Sequence, residues 1–179
     1  MKRPHIVLIG LMGTGKTTIG KRLARDLGRE FVDTDALVEK RAGKSVRDVF
    51  VEDGESAFRD IEAEVVADLV GRDEPSVIAA AGGAVLRATN REHIKGCETV
   101  VWLDAPTSLL VKRTSNRAGR GHRPLIDVDP ASRLDALRLE REQVYRDTST
   151  DRVDVEGLGI DEVVRRIVDI RNAAAEVAK

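Results

Sequence analysis

A glycine-rich segment near the start of the chain carries one lysine and adjacent hydroxyl side chains. Gly10, Gly15, Lys16 and Thr17 fit the pattern G-x-x-x-x-G-K-S/T, between an apolar run at 6–9 and an amphipathic stretch. Glycines let backbone N–H groups turn toward phosphate oxygens, and a helix that begins there adds its positive end. The lysine can reach the β- and γ-phosphates, and the threonine hydroxyl can bind Mg²⁺. We therefore expect a bound nucleoside triphosphate, held by Gly13, Thr14, Gly15, Lys16, Thr17 and Thr18.

Two carboxylates follow the next apolar segment, at Asp33 and Asp35. If the chain stays extended there, their spacing of two points both side chains the same way, toward the crevice at the carboxyl ends of the strands. One could then serve hydrated Mg²⁺, and the other could orient an acceptor hydroxyl and take its proton. The alternative is a strand-end turn, in which aspartate commonly bonds the backbone. The spacing alone leaves both interpretations open.

Three arginines stand in segments that suit anion binding. Arg59 lies three residues before Glu62 on one predicted helix face, Arg123 precedes a rigid proline, and Arg141 lies in another helical stretch. A guanidinium meets a carboxylate or phosphate with two parallel hydrogen bonds. A solvated surface would explain each arginine taken alone, because 34% of the residues are charged.

Strand and helix patterns alternate along the chain and would position these groups. Apolar runs predict strands at 6–9, 30–33, 76–81, 99–103 and 152–155. Apolar spacing and cap residues predict helices after the glycine loop to Leu27 and at 34–42, 45–51, 58–69, 106–115, 134–144 and 160–175. This alternation predicts a doubly wound α/β fold, with five parallel strands between two helix layers.

Composition narrows the class of protein. The chain has 179 residues and a formal net charge of −1, so it lacks the basic footprint of a dedicated nucleic-acid binder. Its single cysteine excludes an intrachain disulfide, and Cys97 is expected to be structural. The short apolar run at 6–9 is too short for a membrane span. We expect a monomeric cytoplasmic enzyme that binds neither nucleic acid nor membrane.

The motifs together resemble those of the shikimate kinases, in the same order along the chain. The matching segments are GLMGTGKTTIG, FVDTD, FRDIE, GGAV, RPL and REQVYR, and they run from about Ile6 to about Val155. The first segment is generic to phosphate-loop proteins, whereas the combination is specific. The resemblance implies a P-loop, nucleoside-monophosphate-kinase-like domain over residues 1–179, with a mobile lid at about 116–128.

The resemblance also implies a role for each matched residue. Lys16, Asp35 and Arg123 would be catalytic, and Thr17 and Asp33 would lie at the metal. Arg113 would stack on adenine, and Arg123 would swing over the phosphates. Asp35 would bond the shikimate hydroxyls, Arg59 and Arg141 would clamp its carboxylate, and Gly82 and Gly83 would let the backbone approach it. Glu62 would hold Arg59.

Some residues depart from the pattern or carry no role in it. The family usually has three consecutive glycines where this chain has Ala81-Gly82-Gly83. If Ala81 needs positive φ, its methyl group costs about 1 kcal/mol, and otherwise it is nearly silent. Trp102 and Tyr145 lie in apolar-patterned segments and are expected to pack.

The resemblance implies transfer of the ATP γ-phosphoryl group to the 3-hydroxyl of shikimate, with Mg²⁺, in aromatic amino-acid synthesis. One rival is another small phosphate-loop kinase, for gluconate or a nucleoside monophosphate. An arginine pair argues against a polyol, and the scarcity of aromatic residues argues against a second base pocket. Another rival is a nucleotide-binding regulator that has lost catalysis, which the retained Lys16, Asp35 and arginines oppose.

Overall fold

Five parallel strands form the sheet predicted from the sequence. The computed structural model describes residues 2–115 and 129–177. The strands are β1 Arg3–Ile9, β2 Glu30–Asp33, β3 Ser76–Ala79, β4 Cys97–Asp104 and β5 Asp151–Asp154. Their order in the sheet is β2-β3-β1-β4-β5. The direction in which successive strands are added to the sheet therefore reverses next to β1, and the carboxyl ends of the strands there form the crevice where such sheets bind ligands.

Helices connect the strands and cover both faces of the sheet. They are α1 Lys16–Leu27, α2 Thr34–Ala42, the short turn α3 Val46–Asp48, α4 Gly54–Val70, α5 Ala88–Lys95, α6 Thr107–Ser115, α7 Pro130–Thr148 and α8 Ile160–Val177. Helices α1 and α8 contact each other, whereas α5 contacts α4 and α7. Strand β4 contacts α8 as well as α5 and α7, so it lies between two helix layers. The three-layer α/β prediction is confirmed.

The central strands are buried because they lie between these two layers. Residues 6–9 of β1 are at most 1% exposed. Leu23 of α1, Leu137 of α7 and Ile167 of α8 pack into the same core cluster. A second, smaller cluster lies between α2 and α4 and contains Val38, Val49, Phe58 and Val65. This second cluster supports the rim of the crevice.

Several elements extend a few residues beyond their predicted bounds, and three differences go further. Strand β3 ends at Ala79 rather than Ala81, because the chain turns away after Ala80 donates to the Leu8 carbonyl at 3.0 Å. The predicted helix at 45–51 is the turn α3 followed by a π-helical segment, Val49–Asp53. Helix α5 was not predicted, since its sequence ATNREHIK has one strongly apolar residue, Ile94, and no apolar period.

Candidate active site

The glycine-rich loop lies between β1 and α1, as its sequence predicts. Gly10, Gly13 and Gly15 have φ values of 137°, 85° and 99°. These values lie in the region that favours glycine because it lacks a Cβ atom. A methyl group on Gly10 would also lie 2.2 Å from the Leu103 carbonyl oxygen of β4. The backbone shape and the close approach to β4 both require glycine here.

Lys16 lies across this loop. Its Nζ donates to the carbonyl oxygens of Gly10, at 2.7 Å, and Leu11, at 3.0 Å. Thr14 is 1% exposed, and its hydroxyl donates to the Leu11 carbonyl at 2.8 Å. The Thr14 hydroxyl therefore stabilises the fold of the loop, and Thr14 is not among the residues that line the cavity.

Thr17 and Asp33 form a pair at the start of α1 and the end of β2. The Thr17 hydroxyl donates to Asp33 Oδ2 at 3.0 Å, and Asp33 Oδ1 accepts from the Asp35 backbone N–H at 3.1 Å. The described residues contain no cluster of three or more His, Cys, Asp or Glu side chains placed to hold a metal ion. Mg²⁺ at phosphate sites keeps several waters and takes one or two protein oxygens. The hydroxyl–carboxylate pair fits that ion.

Asp35 lies in the first turn of α2, as the predicted helix at 34–42 implies, because the strand ends at Asp33, which caps that helix. Of the two interpretations that the spacing leaves open, the chain adopts the strand-end turn, in which Asp33 accepts the Asp35 N–H, and it does not stay extended through Asp35. Both residues nevertheless line the same cavity.

That cavity occupies the crevice and has a volume of about 680 Å³. Its wall contains residues of the phosphate loop and most of the predicted acceptor groups. The predicted site residues among them are Gly13, Gly15, Lys16, Thr17, Thr18, Asp33, Asp35, Arg59, Gly82, Gly83 and Arg141. Residues from five separate segments of the sequence therefore line one cavity.

Arg59 is held against α4 by two carboxylates. Its Nη1 donates to Glu62 Oε2 at 2.8 Å, and its Nη2 donates to Glu55 Oε1 at 3.2 Å. Glu62 is fully buried, and its Oε1 has no hydrogen-bond partner among the described residues. Burial raises the pKa of Glu62, and the Arg59 guanidinium opposes that rise.

The absence of a side chain at Gly83 leaves room for the Arg59 guanidinium. A methyl group built on Gly83 would lie 2.5 Å from Arg59 Nη1 and 2.9 Å from Cζ. The φ of Gly83 is −99°, which any residue can adopt. A side chain at Gly83 would therefore displace the Arg59 guanidinium, although the backbone shape would accept it.

Arg141 enters the cavity from α7. It is 6% exposed, and its Nε lies 3.7 Å from the Glu140 carboxylate, with no hydrogen-bond partner among the described residues. The guanidinium interacts with the Tyr145 hydroxyl, which donates to the Gly82 carbonyl at 2.6 Å. Tyr145 packs on Trp102 with ring centroids 5.8 Å apart, as expected, but its hydrogen bond to Gly82 could not be predicted from an apolar pattern.

Ala81 does not have the positive φ that would strain an alanine at this position. Among the residues that the structure describes, none other than glycine has positive φ. The Ala81 N–H donates to the Thr34 hydroxyl at 2.8 Å. The extra methyl group is therefore compatible with the backbone at this turn.

The predicted nucleotide contact Arg113 is not among the residues that line the cavity. Arg113 of α6 donates to the Gly13 carbonyl at 3.3 Å, so it lies beside the phosphate loop. Arg123 and the predicted lid at 116–128 fall outside the described residues.

Sequence reasoning missed an aromatic side of the cavity. Phe31, Phe50 and Phe58, all three phenylalanines of the chain, line it. Phe50 and Phe58 pack with ring centroids 4.5 Å apart. The argument that aromatic scarcity excludes a second base pocket is therefore not supported. A chain with few aromatic residues can bring all of them to one site. The position of the three phenylalanines close to Asp35 and Arg59 in the sequence was the signal that could have indicated this.

No helix in the described ranges, 2–115 and 129–177, is long and apolar enough to cross a membrane.

Comparisons with known proteins agree with the geometry. A model of the shikimate kinase family matches residues 12–171. A shikimate kinase of Symbiobacterium thermophilum is 45% identical over 166 residues, which cover 92% of this chain and 94% of that protein. The structure of an Acinetobacter baumannii shikimate kinase in complex with shikimate superposes with a TM-score of 0.88 and 34% identity, over 96% of this chain and 94% of that one. A Sinorhizobium meliloti gluconokinase, with a TM-score of 0.64 and 22% identity, shares the fold.

Proposed function

This chain belongs to the shikimate kinase family, and from that premise we propose which of its residues carry out phosphoryl transfer from ATP to shikimate. The family assignment makes the chain an ATP-dependent kinase that uses Mg²⁺. The observation that carries the proposal is the shared cavity: Lys16 lines the same volume of about 680 Å³ as Asp35 and Arg141.

The loop side of the cavity would hold the nucleotide. Backbone N–H groups of Gly13 and Gly15, together with Thr18 and the N-terminus of α1, would bind the phosphates. Lys16 would leave the loop carbonyls that it now contacts and pair with the transferred phosphoryl group. Arg113, beside Gly13, would stack on adenine.

Thr17 and Asp33 would hold Mg²⁺. When bound, this ion neutralises negative charge that builds up on the β- and γ-phosphate oxygens during transfer. Asp33 would also keep its bond to the Asp35 N–H, so the metal side and the acceptor side of the site share one carboxylate.

The opposite side of the cavity would hold shikimate. Arg59 and Arg141 would clamp its carboxylate, and the buried Arg141 Nε, which has no hydrogen-bond partner in the described structure, supports that assignment. Asp35 would bond the 3-hydroxyl, orient it toward the phosphate and take its proton late in transfer. Gly82 and Gly83 would let the backbone approach the ring.

Catalysis by these groups would come mostly from positioning and charge neutralisation. Holding the hydroxyl in line with the phosphate converts a bimolecular encounter into a step within one complex. Water competes as an acceptor, so the site must be covered during transfer. We assign that cover to a lid at about 116–128 with Arg123 over the phosphates, on the family resemblance alone.

The setting of the enzyme is part of the proposal. We propose one domain over residues 1–179, acting as a monomer in the cytoplasm, without nucleic-acid or membrane partners. The near balance of charge, with 30 basic and 31 acidic side chains, supports the last point.

A coupled assay of ADP release tests the assignment. The reaction contains ATP, Mg²⁺ and shikimate, with parallel reactions that contain gluconate, AMP or no acceptor. We expect turnover only with shikimate, and Asp35→Asn and Arg141→Ala should each lower kcat/KM by about two orders of magnitude or more. Acceptor-independent hydrolysis, or activity with gluconate or AMP alone, would contradict the assignment. Nucleotide binding without turnover would favour the regulator.

A further inference from the structure

Helix α7 and the turn at Ala81–Gly83 are joined by a hydroxyl group that the reaction itself does not use. The Tyr145 hydroxyl donates to the Gly82 carbonyl at 2.6 Å, and the side chain is 1% exposed. The two residues are 63 positions apart in the sequence. Burial raises the pKa of Tyr145 to about 12, so the hydroxyl keeps its proton and remains a donor at neutral pH.

The Arg141 guanidinium interacts with the same hydroxyl. A guanidinium has N–H donors and no acceptor, so the Tyr145 oxygen is the acceptor in their interaction. A methyl group built on Gly82 would lie 3.6 Å from both Arg141 Nη1 and the Tyr145 oxygen. The arginine, the hydroxyl and the Gly82 backbone therefore converge at one point of the cavity wall.

We infer that Tyr145 is a positioning residue for shikimate binding, which acts by holding the Arg141 guanidinium and the Gly82 carbonyl in one fixed arrangement. The inference rests on the proposed role of Arg141 as a carboxylate clamp. Arginine has a long side chain with many rotamers, and fixing it before binding lowers the entropy that binding must remove. Tyr145 itself is fixed by its stacking on Trp102.

The first test compares two variants on the same helix. Tyr145→Phe removes one oxygen atom and keeps the ring on Trp102. Thr148→Val removes a hydroxyl that is equally buried but donates to the Val144 carbonyl of its own helix, at 2.6 Å. We expect Tyr145→Phe to raise KM for shikimate roughly tenfold, as the loss of about one hydrogen bond predicts, with kcat and KM for ATP unchanged. Thr148→Val should leave all three constants unchanged.

A double-mutant cycle with Arg141→Lys separates positioning from a general structural effect. If Tyr145 acts through Arg141, Tyr145→Phe should have much less effect in the Arg141→Lys background. Equal effects in both backgrounds would overturn the inference. So would a wild-type KM for shikimate in Tyr145→Phe, or an equal rise in KM for shikimate and for ATP.

A measurement without substitution keeps the inference testable if Tyr145→Phe fails to fold. The chain has one tyrosine, so meta-fluorotyrosine added during expression labels Tyr145 alone. We expect its fluorine NMR resonance to shift when shikimate binds to the wild type. In Arg141→Lys, addition of shikimate should leave the resonance unchanged. No shift at saturating shikimate would overturn the inference. Absence of turnover in the unlabelled wild type would instead contradict the proposed function.

Discussion

Gly83→Ala is the substitution whose consequence can be worked out most fully from the structure. The new methyl group would lie 2.5 Å from Arg59 Nη1 and 2.7 Å from Nη2, whereas ordinary van der Waals contact begins at 3.4 Å. The φ of −99° is compatible with alanine, so the backbone has no reason to move. The guanidinium must therefore retreat by roughly 0.9 Å, the difference between the contact limit and the closest approach.

A retreat of that size disturbs the two ion pairs that fix Arg59. The bonds to Glu62 and Glu55, at 2.8 and 3.2 Å, constrain the guanidinium from different directions. A charge-assisted hydrogen bond contributes about 1.5–3 kcal/mol, and Arg59 is 19% exposed, so we take the lower end. Because 1.4 kcal/mol corresponds to a tenfold change, we expect KM for shikimate to rise roughly ten- to thirtyfold.

Steady-state kinetics with each substrate varied in turn measure this effect. KM for ATP should stay unchanged, because the phosphate loop does not contact Gly83 in the described geometry. Gly159→Ala is the matched control, since a methyl group there meets nothing within 4 Å and its φ lies outside the left-handed region. If Gly83→Ala keeps the wild-type KM for shikimate, then Arg59 is not a carboxylate clamp whose position depends on Gly83.

Three further predictions concern Ala81, Cys97 and Glu62. Ala81→Gly should change KM for shikimate less than about twofold and lower the free energy of unfolding by about 0.4–1 kcal/mol, because the methyl group causes no strain; a large fall in KM would show that alanine obstructs the substrate. Burial raises the pKa of the Cys97 thiol to about 12, so native protein at pH 8 should react with a thiol reagent roughly three orders of magnitude more slowly than urea-unfolded protein, and comparable rates would contradict this. Because the folded state raises the pKa of Glu62 above 4.5, the stability that its proton contributes is complete below the unfolded-state pKa and is lost as pH rises through the folded-state pKa. In urea unfolding, the stability of the wild type relative to Glu62→Gln should therefore fall as pH rises from about 4, and parallel profiles would disprove it.

The nucleotide side of the site could be predicted from the sequence because its parts are contiguous. Gly10 to Thr18 lie in one strand–loop–helix segment, and the three positive φ angles follow from local backbone shape. The requirement for glycine at position 10 has a second cause that no local pattern reveals. It is the carbonyl of Leu103, which lies on a neighbouring strand and far along the chain.

The acceptor side could be predicted in its residues but not in its geometry. The family resemblance named Arg59, Arg141 and Asp35, and all three line the cavity. Their arrangement depends on contacts between distant segments, such as the bond from Tyr145 to Gly82, and a tyrosine in an apolar pattern gives no sign of such a bond. Asp35 shows the same limit on a small scale, because the spacing of the two carboxylates did not decide between an extended chain and the turn in which Asp33 caps α2.

Glycine is favoured for two different physical reasons in the two turns of this site, and the difference explains why alanine is tolerated at position 81. In the phosphate loop, glycine is required by positive φ, so any side chain would strain the backbone. At the second turn, neither Gly82 nor Gly83 has positive φ. A methyl group on Gly83 would displace the Arg59 guanidinium, whereas a methyl group on Gly82 would make only ordinary contacts, at 3.4–3.6 Å. Ala81 has no positive φ either, and its N–H donates to the Thr34 hydroxyl. Alanine at position 81 therefore strains no backbone, and the chain keeps glycine at position 83, where a side chain would displace Arg59.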